Sequence, residues 1–199
     1  MRVNRQRMDI QRGFTLVEMI AGIVVFAVAL SIVTSLVANQ SRNSIDPIWQ
    51  VRAIELGQSL INEVNAKAFD ENSDLLGGSQ RCNEGVDCTT SGNLGPDAGE
   101  TRESFDDIDD YNGLDVSGAG ITNSLGEVLS TPDGNFYEGF RAQVIVFYDD
   151  NLDGVNDDDL DQNGSLDSGS LIGNRKVIQV LITTPGGDAI PFSVLRTNY

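Results

Sequence analysis

Histidine is absent from this chain of 199 residues. Its absence removes Ser-His-Asp and Cys-His catalysis and the commonest zinc ligand. Basic residues are scarce: 13 Lys and Arg stand against 30 Asp and Glu, a formal net charge of −17. Nucleic acid is therefore excluded as a partner, since its phosphates would be repelled. Two cysteines are too few for a disulfide scaffold, and two thiols alone make a poor metal site. The length suits one domain with a modest core. What is present is unevenly spread: residues 70–167 hold 24 of the 30 acids and only Arg81, Arg102 and Arg141 as bases.

The N-terminus reads as an address followed by an anchor. Residues 1–13 carry Arg2, Arg5, Arg7 and Arg12 against Asp9, and residues 14–38 carry a single charge, Glu18. A helix over 14–38 would rise about 37 Å, enough to cross a bilayer core of about 30 Å. Arginines on one side and acids on the other put the N-terminus in the cytoplasm. An ordinary secretory signal would be cut just after its apolar run. Here the run is long and helix-compatible polar sequence follows it, so a retained anchor is the better reading. Glu18 is the anomaly, because a carboxylate inside an apolar span marks a functional site by default.

Gly13-Phe14-Thr15-Leu16-Val17-Glu18 resembles the processing motif of type IV pilins and type II secretion pseudopilins. The resemblance implies that a prepilin peptidase cuts between Gly13 and Phe14 and that Phe14 is then N-methylated. Met8 is an alternative start that would leave a leader of six residues. Glu18 becomes the fifth mature residue, placed to neutralise the terminal amine of a neighbouring subunit during assembly. Such a pair is strong in low dielectric only when both members are present. Loss of the leader removes four arginines and Asp9, leaving 9 basic and 29 acidic side chains. The implied partners are other pilin subunits in a helical filament, the peptidase and an inner-membrane assembly platform.

Beyond the anchor, the helix is expected to run through 39–69, to about Ala68. Val51, Ile54, Ile61, Val64 and Ala68, widened by Leu60, form its core stripe. Asp46-Pro47 should kink or break it, with Asp46 capping the second piece. Residues 70–138 read as an irregular acidic region, with Cys82 and Cys88 closed into a local disulfide outside the cytoplasm. Within it FDDIDDYNG, residues 105–113, reads as a solvated, Gly-ended turn. Residues 139–199 hold three strand candidates, 139–148, 175–184 and 189–197, the last two joined by the hairpin turn Pro185-Gly186-Gly187-Asp188. The expected fold is α+β, the pilin plan of a long N-terminal helix, membrane-spanning in its first half, packed on a C-terminal antiparallel sheet. FDDIDDYNG and the pattern KVIQV…TTPGG…SVLRTNY resemble segments of minor pilins of the mannose-sensitive haemagglutinin (MSHA) pilus.

The insertion 149–167, DDNLDGVNDDDLDQNGSLD, holds eight acids and no base. Two nine-residue units align: Asp149, Asn151, Asp153, Gly154, Val155, Asp157, then Asp159, Asp161, Asn163, Gly164, Ser165, Asp167. Oxygen side chains at positions 1, 3, 5 and 9, Gly at 6 and a carbonyl from Val155 or Ser165 match the first part of a calcium loop. Leu160 and Ser170 stand where an EF-hand has its bidentate Glu, so the units are closer to the DxDxDG loops of extracellular repeats. Hard oxygen ligands favour Ca²⁺. A solvated acidic loop that only opposes aggregation is the plain alternative.

These readings converge on a non-enzymatic subunit: a minor pilin of an MSHA-like type IV pilus, inner-membrane single-pass before it becomes extracellular. A minor pseudopilin of a type II secretion system is the nearest rival. A membrane-anchored, calcium-dependent adhesin is a rival of another class. A hydrolase using paired Asp residues lacks a defined base–nucleophile arrangement.

Overall fold

The computed structural model describes residues 15–42, 46–74, 81–132 and 134–198, of which 36–42 and 46 are described by their backbone alone. The chain divides into two compact units at Pro47. The first contains helix α1, Leu16–Arg42. The second contains helix α2, Asp46–Asn65, continued from the division, and six strands. These are β1 (Asp115–Ser117), β2 (Ser130–Thr131), β3 (Gly134–Asn135), β4 (Arg141–Tyr148), β5 (Arg175–Thr183) and β6 (Ala189–Thr197). The result is α+β, consistent with the type IV pilin fold: an N-terminal apolar helix, one further helix and a C-terminal antiparallel sheet.

Pro47 stands in the first turn of α2, where its missing N–H leaves no helical bond unmade. It ends at Asn65, short of the expected Ala68. There the chain exchanges helical bonding for a cross-link: Ala68 N donates to Asp106 O at 3.1 Å, and Ile108 N donates back to Ala68 O at 3.1 Å. The buried face also departs from expectation. Ala53, Leu56, Leu60 and Val64 are buried, whereas Val51 and Ile54 are 55% and 40% exposed. The sheet meets the side of α2 that carries its smallest residues. A Cβ on Gly57 would lie 2.2 Å from Phe192 Cε2, so glycine lets β6 press directly on the helix backbone.

β1, β4, β5 and β6 form one antiparallel sheet in that order. Ala142, Val144 and Val146 of β4 and Ile178, Val180 and Ile182 of β5 turn to α2 and form the main core. Alternation of period two accounts for the outward Gln143, Ile145, Gln179 and Leu181. β1 covers only Arg141–Gln143 of the β4 edge. The remaining β4 edge is closed by Gly113 N on Val144 O at 3.1 Å, Val144 N on Leu114 O at 2.9 Å and Val146 N on the Asn112 side-chain oxygen at 2.9 Å. β6 is the other edge and carries Pro191 opposite Leu181.

FDDIDDYNG is not a solvated turn. Ile108 and Tyr111 are fully buried, and Asp107, Asp109 and Asp110 are at most 4% exposed. Tyr111 OH donates to Glu63 Oε1 at 2.9 Å, and Arg102 Nη2 donates to Glu63 Oε2 at 2.8 Å. The segment packs because its acids have specific donors, which composition alone does not reveal.

Candidate functional site

Two regions carry the candidate site residues: the start of α1 and the insertion between β4 and β5. Gly13 and Phe14 lie outside the described residues. Thr15 and Glu18 form a reciprocal cap on α1. Glu18 N donates to Thr15 Oγ1 at 3.2 Å, while Thr15 N donates to Glu18 Oε2 at 3.1 Å and Thr15 Oγ1 to the same oxygen at 3.0 Å. This is a capping box, in which each residue satisfies a donor left free at a helix start. The spacing Thr-x-x-Glu signals it in the sequence, and it gives Glu18 a local role besides the intermolecular one implied by resemblance.

Every side chain from Leu16 to Ser35 is exposed, and this stretch is long and apolar enough to cross a membrane. Its hydroxyls are spent locally: Ser31 Oγ donates to Val28 O at 2.8 Å, Thr34 Oγ1 to Leu30 O at 2.7 Å and Ser35 Oγ to Ile32 O at 2.8 Å. Polar groups satisfied within the helix are compatible with a hydrocarbon environment.

The acidic insertion folds as two copies of one loop. Asp153 N and Gly154 N donate to the two oxygens of Asp149 at 3.1 and 2.9 Å. Asn163 N and Gly164 N donate to the two oxygens of Asp159 at 3.0 and 2.9 Å. Asn151 and Asp161 accept from the amide two residues on, as do Asp153 and Asn163. Asp157 closes the first loop by accepting from Asp150 N at 2.6 Å, and Asp167 closes the second by accepting from Leu160 N at 3.2 Å. The backbones match as well: Leu152 and Gln162 have φ of 65° and 55°, followed two residues later by Gly154 and Gly164 at 81° and 83°. Val155 and Ser165 occupy the seventh position of each loop. Among the described residues, the acid trios whose ligand atoms lie within 4.8 Å of one another do not include these loop carboxylates. They are held apart on backbone N–H groups rather than turned to a common centre.

Asp158, between the loops, is a residue that the spacing argument passes over. It is 3% exposed and anchors the insertion to the 90s segment: Oδ2 accepts from Ser91 Oγ and from Gly169 N at 2.7 Å, and Oδ1 accepts from Ser168 N at 2.8 Å. Burial opposes its ionisation, but the bonds from Ser91, Ser168 and Gly169 outweigh it and hold the carboxyl below the ordinary range.

Cys82 and Cys88 are joined by a disulfide. With Phe69 and Tyr148 they form a second, smaller core against Leu94, Leu171 and Ile172. Asn198 Nδ2 donates to Cys82 O at 2.8 Å and ties the last strand's exit to this staple.

Beside this core lies a charged cluster missed in the sequence. Lys176 on β5 is fully buried. Its Nζ donates to Phe69 O at 2.8 Å, Asp70 Oδ2 at 3.0 Å and Asp109 Oδ1 at 2.5 Å, and sits 4.4 Å from the Phe69 ring centre. Oδ2 of Asp109 is buried without a hydrogen-bond partner among the described residues. Burial pushes Asp109 up to about 8, against the pull of Lys176. Burial and the Asp110 charge push Asp107 up to about 7. The one available signal was a lysine at an inward position of an otherwise apolar strand.

Residues 8–34 match the family model described as the prokaryotic N-terminal methylation motif. No curated protein matches the chain. No solved structure matches it either. The motif supports a type IV pilin-like or pseudopilin precursor, and it implies processing by a prepilin peptidase and membrane assembly with other pilin subunits.

Proposed function

We propose that this chain is a minor pilin, a structural subunit of an MSHA-like type IV pilus that turns over no substrate. The observation that carries the reading is the methylation motif at 8–34 running into an apolar α1 with Glu18 in its first turn. Cleavage between Gly13 and Phe14 creates an amine, and Glu18 of a neighbour neutralises it in the filament core. Ile48 and Val51 are exposed on α2, an apolar patch suited to packing against other subunits. FDDIDDYNG and the KVIQV…TTPGG…SVLRTNY pattern carry the MSHA-like part of the reading by resemblance. A pseudopilin of type II secretion would use the same α1.

Mass spectrometry of sheared surface filaments tests the assignment. The chain should be present and should begin at N-methylated Phe14. Gly13→Val should leave an uncut membrane precursor, because a side chain there obstructs the peptidase. Absence from sheared pili, with loss of protein secretion on deletion of the chain, would instead establish the pseudopilin.

We also propose that each loop of the insertion binds one Ca²⁺. The duplicated backbone and hydrogen-bond pattern supports this, because two independent solvated loops have no reason to coincide. The ligands are Asp149, Asn151, Asp153, Val155 and Asp157 in one loop and Asp159, Asp161, Asn163, Ser165 and Asp167 in the other. Binding requires the carboxylates to leave backbone N–H groups for the ion, consistent with the affinity of about 10⁻⁴–10⁻³ M usual for extracellular modules.

A further inference from the structure

We propose that Lys176 and Asp109 condense into an intramolecular amide, lysine Nζ bonded to aspartate Cγ, with Asp70 relaying the proton. The three groups meet in a site closed to water: Lys176 and Asp70 are fully buried and Asp109 is 2% exposed. Nζ touches the Asp109 carboxyl through Oδ1 at 2.5 Å and the Asp70 carboxylate at 3.0 Å. The nucleophile thus touches both the electrophile and the base, which converts a bimolecular condensation into an intramolecular one.

The two aspartates are not equivalent. Asp70 accepts backbone N–H bonds from Asn72 at 3.1 Å and Thr89 at 2.8 Å, which fix its orientation. Asp109 has an oxygen with no donor among the described residues. A carboxylate in that state is penalised and the protonated acid, the form open to attack by an amine, is favoured. Its raised ionisation, near 8, agrees. The bare oxygen is the natural leaving group, since its departure breaks no hydrogen bond.

The step balances without an added reagent. A proton passes from the ammonium to the Asp109 carboxylate, giving a neutral amine and a neutral acid. The nitrogen lone pair attacks Cγ and the C–N bond forms. Asp70 takes the proton that nitrogen sheds and delivers it to the departing hydroxyl as the C–O bond breaks. One ammonium and one carboxylate become one amide and one water. The remaining amide N–H has acceptors already in place, Phe69 O and Asp70. The bond would tie β5 to the 105–113 segment across 67 residues and, unlike the Cys82–Cys88 staple, would survive reduction.

Intact mass spectrometry of the full chain, purified in detergent, tests this. The expected mass is short of the sequence mass by one water, after allowance for the disulfide and N-terminal processing. Trypsin should fail to cut after Lys176, and fragmentation should show a branched peptide joining Lys176 to Asp109. The loss should persist in hydroxylamine and vanish in Asp109→Ala. Asp70→Asn should slow its appearance by about 100-fold or more, the usual worth of a positioned base. A full-mass chain cut normally after Lys176 overturns the proposal and leaves an ion pair. So does a water loss that maps to a succinimide at Asp153-Gly154 or a branch that ends on Asp70.

Discussion

Replacing Gly57 by alanine sets two well-characterised effects against each other. Gly→Ala inside a helix normally stabilises by about 1 kcal/mol, because glycine loses more backbone entropy on folding. At this position the new Cβ would lie 2.2, 2.5 and 2.6 Å from three carbons of the Phe192 ring. Carbon atoms reach optimal contact at about 3.5–4.0 Å, so the ring would have to retreat by more than about 1 Å. Phe192 packs against the main core beneath β6, so its retreat disturbs the contact between α2 and the sheet. Overpacking of this kind costs about 1–3 kcal/mol. The close contacts put the clash at the upper end of that range, so it should win, with a net loss of up to about 2 kcal/mol. For a unit the size of residues 47–199 this is a fall in Tm of up to about 8 °C. Thermal melts of that unit read it directly. Phe192→Leu should reverse the sign: in that background Gly57→Ala should raise Tm, because only the propensity term survives. A rise in Tm with Phe192 intact would refute the reasoning and show that the ring moves freely.

Glu18→Ala should leave cleavage after Gly13 intact but deplete the subunit from sheared filaments, since breaking a buried pair typically costs about 3–5 kcal/mol; equal incorporation argues against the pairing. Millimolar Ca²⁺ should raise the Tm of residues 47–199, by about 0.4–1.4 kcal/mol of stability per site at one to ten times Kd, and Mg²⁺ should do less. Changing Asp149, Asp153, Asp159 and Asp161 to Asn should abolish that response and lower the apo Tm slightly, because an amide has one acceptor oxygen where Asp149 and Asp159 each use two for backbone N–H groups; an unchanged wild-type melt and no calorimetric heat dismiss the sites. Asp107, raised to about 7, binds a proton in the folded state that the unfolded chain has already released. Stability should therefore fall as pH rises from about 4 to 7, by up to about 1.4 kcal/mol per pH unit for this group, and Asp107→Asn should remove that share of the slope in denaturant melts.

The parts of the fold that were legible are those governed by one periodicity. β6 runs over Ala189–Thr197 as its alternation predicts, and β4 and β5 differ from expectation only at their ends. What stayed hidden depends on contacts between distant segments. Val51 and Ile54 satisfy helical spacing as well as Ala53 and Leu56 do; the choice of face was made by Phe192 and Gly57, 135 residues apart in a contact no local pattern encodes. The buried FDDIDDYNG segment was hidden for the same reason: Tyr111 donates to Glu63 on α2, and Asp109 accepts from Lys176 on β5. The aligned spacing in 149–167 did anticipate twin loops, but it could not show that Asp158 between them is the anchor.

The two sheet margins bear on how a population of these subunits behaves before polymerisation. Chains confined by α1 to a membrane plane would meet one another far more often than in free solution, and unpaired strand margins invite fusion. One margin is sealed by Asn112, whose side chain occupies the place of a neighbouring strand on Val146. The other places Pro191 midway along β6, where a donor is missing. Sheet-to-sheet joining is thus discouraged at both edges, so crowding alone does not fuse these heads through their strands.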